Sequence, residues 1–217
     1  MYRIPRIDCN VACPASLEEA FARTVRETVA CNNWPADFPY APQVGFRIFH
    51  TGADLLLRFD VAERCTAART LDDNGPVWTD SCAEFFFRPE GSDSYYNFEC
   101  NCIGTLLVGH RRDRTQAEHA PAEVLRTVRR RATYPHAPLP ENEGDNRWTL
   151  TLAIPAAALF RDRIAGWDGV QGAMNLYKCG DDLSCPHYLS WRPVGTPAPD
   201  FHRPEFFEPV FFEPKKQ

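Results

Sequence analysis

The chain has 217 residues, 44% of them hydrophobic and 24% charged, with 24 basic against 29 acidic side chains and a net charge of −5. Fifteen Phe and five Trp exclude a disordered chain, the acid excess gives no reason to expect nucleic acid or an anionic membrane as partner, and no apolar run approaches the length of a membrane span. Nineteen prolines, nearly twice the roughly 5% average, disfavour long helices and favour a loop-rich β architecture.

In chain order, the one helix signal runs from Ser16 to about Cys31. Ser16 followed by Glu19 fits a capping box, and Leu17, Ala20, Phe21, Val25 and Val29 form an apolar stripe. Asn32-Asn33-Trp34-Pro35 ends it. The segments Gly45–His50, Asp54–Val61, Cys82–Arg88, Tyr95–Asn101, Thr105–His110, Val124–Arg131, Arg147–Ile154, Ala173–Cys179, His187–Trp191 and Phe206–Phe212 then read as strands. Alternation is clean at Leu55, Leu57, Phe59 and Val61 and again at Trp148, Leu150, Leu152 and Ile154. Turn residues cluster between them, as at Asp72–Pro76 and Pro138–Asn146. About ten short strands without helix–strand alternation predict an all-β fold, a jelly-roll-like β-sandwich with one short N-terminal helix. One domain is expected over residues 1–217, with the segment 1–33 packed on the sandwich.

Nine cysteines cannot all pair within one chain. The start Met1-Tyr2-Arg3-Ile4-Pro5 has no apolar signal segment, so as written the chain reads as cytosolic with mostly reduced thiols, although a trimmed exported chain would look the same. Cys179 and Cys185 could close a small loop, but free thiols are the expectation. No C-x-x-C spacing marks a zinc or redox site.

The most informative stretch is Val77–Arg88, followed by a turn at Pro89–Asp93 and a return through Ser94–Asn101. A hairpin symmetric about Gly91 and Ser92 sets Glu84 opposite Glu99, Phe86 opposite Asn97 and Cys82 opposite Asn101. Its other face then carries Ala83, Phe85, Phe87, Tyr96, Phe98 and Cys100, a coherent core surface that a one-residue slip would destroy. Glu84, Asn97, Glu99 and Asn101 form a polar patch. Two carboxylates directly opposite one another, with Cβ atoms about 5 Å apart, destabilise a strand pair unless a cation, a metal, a shared proton or a ligand's hydroxyl donors offset the repulsion. Trp78, in a loop beside this patch, completes what sugar recognition requires: an aromatic face for the C–H side of a pyranose and polar groups for its hydroxyls.

The segment Trp78-Thr79-Asp80-Ser81-Cys82-Ala83-Glu84-Phe85-Phe86 resembles the W-T-x-D-x-V-E-x-F segment of family 9 carbohydrate-binding modules. Tyr95–Gly104, Asn175–Asp181, Pro186–Trp191 and Asp200–Phe207 look like its family-9-like branch, and the matches run from about Trp34 to Phe212. The resemblance implies a β-sandwich that binds a mono- or oligosaccharide, often at a reducing end, without catalytic activity of its own, and is commonly attached to a glycan-degrading enzyme such as a xylanase. It places the platform tryptophan at Trp78 and the site glutamate at Glu84. The family's arginine falls at Asn97, so that charged contact is lost or supplied elsewhere, and its glutamine falls near Tyr177. Phe201 or His202 replaces its second stacking tryptophan, while Trp191 matches a structural one.

The ligand-binding residues expected are therefore Trp78, Glu84, Asn97, Glu99, Asn101, Tyr177, Lys178, Phe201 and His202. Lys178 could supply the cation that the Glu84–Glu99 pair lacks, although alternation puts it on the Leu176 side. His187 could reach the same rim. No cofactor is expected. Family members often carry structural calcium, for which Asp72-Asp73-Asn74 and Asp181-Asp182 offer oxygens, but such loops read first as plain turns. An enzymatic alternative is a glycoside hydrolase using Glu84 and Glu99. A third reading, a nucleic-acid or protein-interaction module, rests on Arg111, Arg112, Arg114, Arg126, Arg129, Arg130 and Arg131, for which solvated faces and neutralisation by Glu118 and Glu123 are the simpler account.

Overall fold

A computed structural model describes residues 1–216. Its strands in chain order are β1 (Tyr2–Ile4), β2 (Glu27–Thr28), β3 (Cys31–Asn32), β4 (Gln43–His50), β5 (Asp54–Ala68), β6 (Cys82–Pro89), β7 (Tyr95–Asn101), β8 (Leu106–Arg111), β9 (Ala117–His119), β10 (Arg129–Ala132), β11 (Leu139–Pro155), β12 (Gln171–Cys179), β13 (Tyr188–Ser190) and β14 (Glu208–Phe212). Among the described residues helices are confined to α1 (Pro14–Ala22), α2 (Ala122–Leu125) and short 3-10 turns, one of them at Val77–Thr79. Among the described residues no helix is long and apolar enough to cross a membrane.

Two sheets face each other. One runs β1-β14-β12-β6-β7-β8-β9, with β13 pairing both β12 and β3; the other runs β10-β11-β5-β4-β2. Between them lies the main core, supplied by the inward positions of each alternating strand: Leu55, Leu57, Phe59 and Val61 from β5, Leu150, Leu152 and Ile154 from β11, and Phe85, Phe87, Tyr96, Phe98, Met174 and Leu176 from the facing sheet. Each such side chain contributes about 1.5–3 kcal/mol on burial, which is why the alternation dictates the register. The β6–β7 pairing is the one the burial pattern predicts: Cys82 opposite Asn101, Glu84 opposite Glu99 and Phe86 opposite Asn97.

The outer faces are also covered. Helix α1 lays Leu17, Ala20 and Phe21 on Phe49, Leu56 and Ala153, with the Phe21 ring edge-on to Phe49 at 5.0 Å. A second apolar cluster, including Trp34, Val77, Phe86, Tyr95, Tyr177, Val194, Phe201 and Phe207, covers the far side of the larger sheet. This cover comes largely from irregular chain between β13 and β14, and it converts what reads in sequence as an open polar face into a lined recess.

Several elements differ from expectation. The helix is shorter than Ser16–Cys31: Cys13 stands at its N-cap with Pro14 in the first turn, and Ser16 instead accepts a hydrogen bond from the Asn10 amide. The chain leaves the helix after Ala22, so Val25 is exposed while Val29 enters the core. Val124–Arg131 divides into the end of α2 and β10. Pro138–Asn146, expected as a loop, opens β11, which pairs with an extended β5 through two register shifts. Strand β1, absent from the expectation, pairs in parallel with β14.

The sandwich interior also holds a charged cluster. Lys178 lies on the inward side of β12, 2.8 Å from Glu63 Oε2, and donates to the Cys179 carbonyl and His187 Nε2 at 2.8 and 2.7 Å. Glu63 Oε1 accepts from Trp148 Nε1 and Thr66 Oγ1. Burial alone raises the Glu63 carboxyl, but Lys178, His187 and these donors outweigh it and leave it below the ordinary value. Burial, with the Lys178 charge behind it, pushes His187 down to about 3, so it stays a neutral acceptor. Removing one member of a buried pair strands the other. Lys178→Met is therefore expected to lower unfolding free energy by about 3–5 kcal/mol in urea titrations, and a loss under about 1 kcal/mol would contradict this account.

Candidate functional site

The recess opens between the Val77–Thr79 turn, the outer face of β6, β7 and β12, and the covering chain. It is a cavity of about 450 Å³ lined by Trp78, Glu84, Glu99, Arg111, Arg114, Cys179, Asp181, Tyr188, Phe201 and His202, with Phe38, Pro199 and Asp200 at its margin. Trp78 reaches it because its turn is pinned from below. Buried Asp80 accepts hydrogen bonds from the Arg69 and Thr70 amides and from Asn101 Nδ2, while Asn101 also donates to the Thr70 carbonyl and accepts from the Thr105 amide. The Asp181 amide donates to the Trp78 carbonyl, tying the turn to the end of β12. The indole itself is 38% exposed, one of few large apolar side chains left open to solvent.

Glu84 and Glu99 form the floor, both almost fully buried and directly opposite one another. Glu84 accepts a hydrogen bond from the Cys179 thiol at 3.0 Å, and burial, reinforced by the charge of Glu99, drives its carboxyl well above the ordinary range. Glu99 is pushed up to about 7 by burial, against the opposing effects of Asn97 and Arg111. Asn97 is the connector: its Nδ2 donates to Glu99 Oε1 at 2.7 Å and its Oδ1 accepts from Arg111 Nε at 2.9 Å. Strand β8 carries glycine beside this bridge for a steric reason, since a Cβ at Gly109 would sit 2.6 Å from Asn97 Oδ1 and 3.2 Å from Arg111 Nε. Burial likewise raises Asp181 to about 6, with Asp182 adding to the effect.

The aromatic lining is held from behind. Tyr177 stacks on Phe201 at 4.2 Å with the rings 14° apart, and its hydroxyl donates to the Phe201 carbonyl. His202 hydrogen-bonds the Tyr95 hydroxyl at 3.0 Å and lies 5.1 Å from the Phe86 ring; burial and the neighbouring arginines lower it to about 3, so the imidazole is neutral. Phe38 meets Tyr188 edge-on at 4.7 Å.

Of the expected residues, the fold brings Trp78, Glu84, Glu99, Phe201 and His202 to one cavity. It does not bring Asn97, Asn101, Tyr177 or Lys178 to its surface. Asn97 orients Glu99, Asn101 anchors the Trp78 turn, and Tyr177 backs Phe201. Lys178 is corrected outright: Leu176 and Lys178 share the inward side of β12, so its ammonium pairs with Glu63 and not with the Glu84–Glu99 floor. His187 belongs to that same interior cluster.

Sequence reasoning missed Arg111, Arg114, Cys179, Asp181 and Tyr188. Arg111 was hidden in an arginine-rich stretch, but it sits on β8 opposite Tyr95, two residues along from the Gly109–Asn97 pair, and it brings to Asn97 a cation from the adjacent strand. The rest of that stretch disperses: Arg129 pairs with Asp54 and Arg130 with Asp73, while Glu118 meets Arg161. At Asp72–Asn74, read first as a plain turn, both Asp73 oxygens are held by Arg130 and the Asn74 amide spans the Val108 amide and the Ala120 carbonyl. All nine cysteines are free; Cys185 lies against the Arg64 guanidinium and not Cys179.

The two-sheet β-sandwich is the fold of a carbohydrate-binding module. The chain belongs to carbohydrate-binding family 9, whose model matches residues 13–212. A candidate carbohydrate-binding protein from Bacteroides uniformis is 39% identical, with a TM-score of 0.91 over 97% of this chain and 98% of that one. Two structures of a family 9 module from Caldicellulosiruptor kristjanssonii share the fold at low identity. The glucose complex is 9% identical, with a TM-score of 0.58 over 99% of this chain and 96% of that one; the cellotriose complex is 7% identical, with a TM-score of 0.59 over 99% and 94%. No curated protein matches the chain.

The raised acid on the floor has a signature. Folded Glu99 keeps its proton up to about pH 7 whereas the unfolded chain loses it near the ordinary value, so stability from this group is present at low pH and lost as pH rises through about 7. Glu99→Gln, which stays neutral, is expected to gain on the wild type in unfolding free energy between about pH 5 and about pH 8. Denaturant titrations check this, and a pH-independent difference would contradict it.

Proposed function

We propose that the cavity beneath Trp78 is the carbohydrate site of this chain, and that it holds a neutral monosaccharide or the end of an oligosaccharide without chemical turnover. The observation that carries the reading is the half-open Trp78 indole standing over a recess whose floor is Glu84 and Glu99. A pyranose needs both at once: an apolar plane for its C–H face and several acceptors and donors for its hydroxyl rim. A volume of about 450 Å³ suits a small ligand or a chain end. The neutral His202 and the two carboxyls, both raised by burial, supply hydrogen-bonding groups beside Arg111.

One feature favours binding over hydrolysis: Glu84 and Glu99 project from adjacent strands of one sheet face, whereas a hydrolase needs carboxyls flanking the scissile bond. Glucose and cellotriose, carried by the family 9 module from Caldicellulosiruptor kristjanssonii, are the first sugars to test. Family membership further supports a glycan-degrading enzyme as the partner this domain serves.

Calorimetric titration with glucose, cellotriose and xylo-oligosaccharides is the experiment. Trp78→Ala is expected to weaken binding about tenfold, the equivalent of about 1.4 kcal/mol of lost stacking, with no reducing sugar released by either protein. Unchanged affinity in Trp78→Ala would overturn the site, and sugar release abolished by Glu84→Gln would overturn the absence of turnover.

A further inference from the structure

The floor of the cavity contains two thiols that sugar binding does not use. Cys82 on β6 and Cys179 on β12 are direct cross-strand partners, and both project to the cavity side of the sheet. Their sulfurs and a Glu84 oxygen all lie within 4.8 Å of one another. No spacing in the sequence announces this group, since the two cysteines are brought together only by the β6–β12 register. We propose that Cys82, Cys179 and Glu84 form a binding site for a single thiophilic divalent metal ion, of the zinc class, with its remaining coordination position facing the cavity.

Four observations support it. The donor set is right: two thiolates and a carboxylate are ordinary zinc ligands, and three protein ligands with one open position is the arrangement of an accessible zinc site. The geometry is close: a tetrahedral ion with Zn–S of about 2.3 Å holds its sulfurs about 3.8 Å apart, so the two sulfurs need close by no more than about 1 Å, while the Glu84–Cys179 contact opens slightly. The Cys179 thiol already donates to Glu84 at 3.0 Å, a contact that an ion would replace by taking the proton's place between them. An entry path exists, because Glu84 and Cys179 line the cavity while Cys82 sits fully buried behind them.

Two thiolates, one carboxylate and a divalent ion sum to −1, and binding the ion displaces the protons that the thiols carry. The site shares Glu84 with the proposed sugar site, but neither its donor set nor its test requires a glycan.

The reduced, metal-free full chain titrated with Co²⁺ or Cd²⁺ tests the proposal. One equivalent is expected to bind and produce thiolate-to-metal charge-transfer absorption. That absorption should survive in Cys65→Ser and Cys185→Ser, disappear in Cys82→Ser and Cys179→Ser, and require roughly 10- to 100-fold more metal in Glu84→Gln. Zinc-edge X-ray absorption on the wild type gives a reading that does not depend on any variant folding: two sulfur neighbours at about 2.3 Å with lighter ligands completing the shell. Failure to bind either ion, absorption that persists in the Cys82→Ser/Cys179→Ser double variant, or a zinc shell of four sulfurs or of none would overturn it.

Discussion

Everything at the site depends on the pairing of β6 with β7 that buries Glu84 directly against Glu99. Two acids in that position repel if both ionise, and both are almost fully buried. The fold keeps the pair by neutralising it. Burial raises both carboxyls, the Cys179 thiol donates to Glu84, and Asn97 donates to Glu99 while taking a hydrogen bond from Arg111. The result is a floor of two carboxyls that hold their protons more tightly than usual, with Glu99 oriented from behind by Asn97.

The floor becomes a cavity only because the larger sheet is covered on both sides. Strand β12 shows the division most clearly. Met174, Leu176 and Lys178 face the sandwich interior, the last closing the Glu63–His187 cluster; Asn175, Tyr177 and Cys179 face outward. Asn175 holds the covering chain by donating to the Arg192 carbonyl and accepting from its amide, and Tyr177 holds Phe201 by stacking. A strand with both faces buried thus serves stability on one side and recognition on the other, and the Trp78 turn, tied to its end through the Asp181 amide, closes the mouth.

How much of this could be read from the chain follows from where hydrophobic periodicity operates. The hairpin register was legible to the residue, because Phe85, Phe87, Tyr96 and Phe98 reach the core together in only one alignment. Trp78, Glu84 and Glu99 followed from it. The covering chain from Trp191 to Phe207 has no period to read: it is irregular, proline-rich and held by ring contacts, so the burial of Tyr177 beneath it was invisible; Asn97 and Asn101, enclosed instead by Arg111 and by the Asp80 turn, likewise passed for surface ligands. Lys178 illustrates the opposite case. Its alternation was visible in sequence, but a charged residue facing a core is intelligible only once Glu63 and His187 are found there. Arg111 was masked by its arginine neighbours, and the Cys82–Cys179 pair by lying 97 positions apart in the numbering. The polar start of β11 was missed because an exposed segment carries no burial signal, and its strand form comes from pairing with β5.

The most direct test of the account is a crystal structure of the chain soaked with glucose or cellotriose. It predicts a sugar ring lying on the Trp78 indole with a hydroxyl within hydrogen-bonding distance of Glu84 or Glu99, and Arg111 still bound to Asn97. A sugar seated on any other surface, with the recess beneath Trp78 filled by water alone, would contradict it.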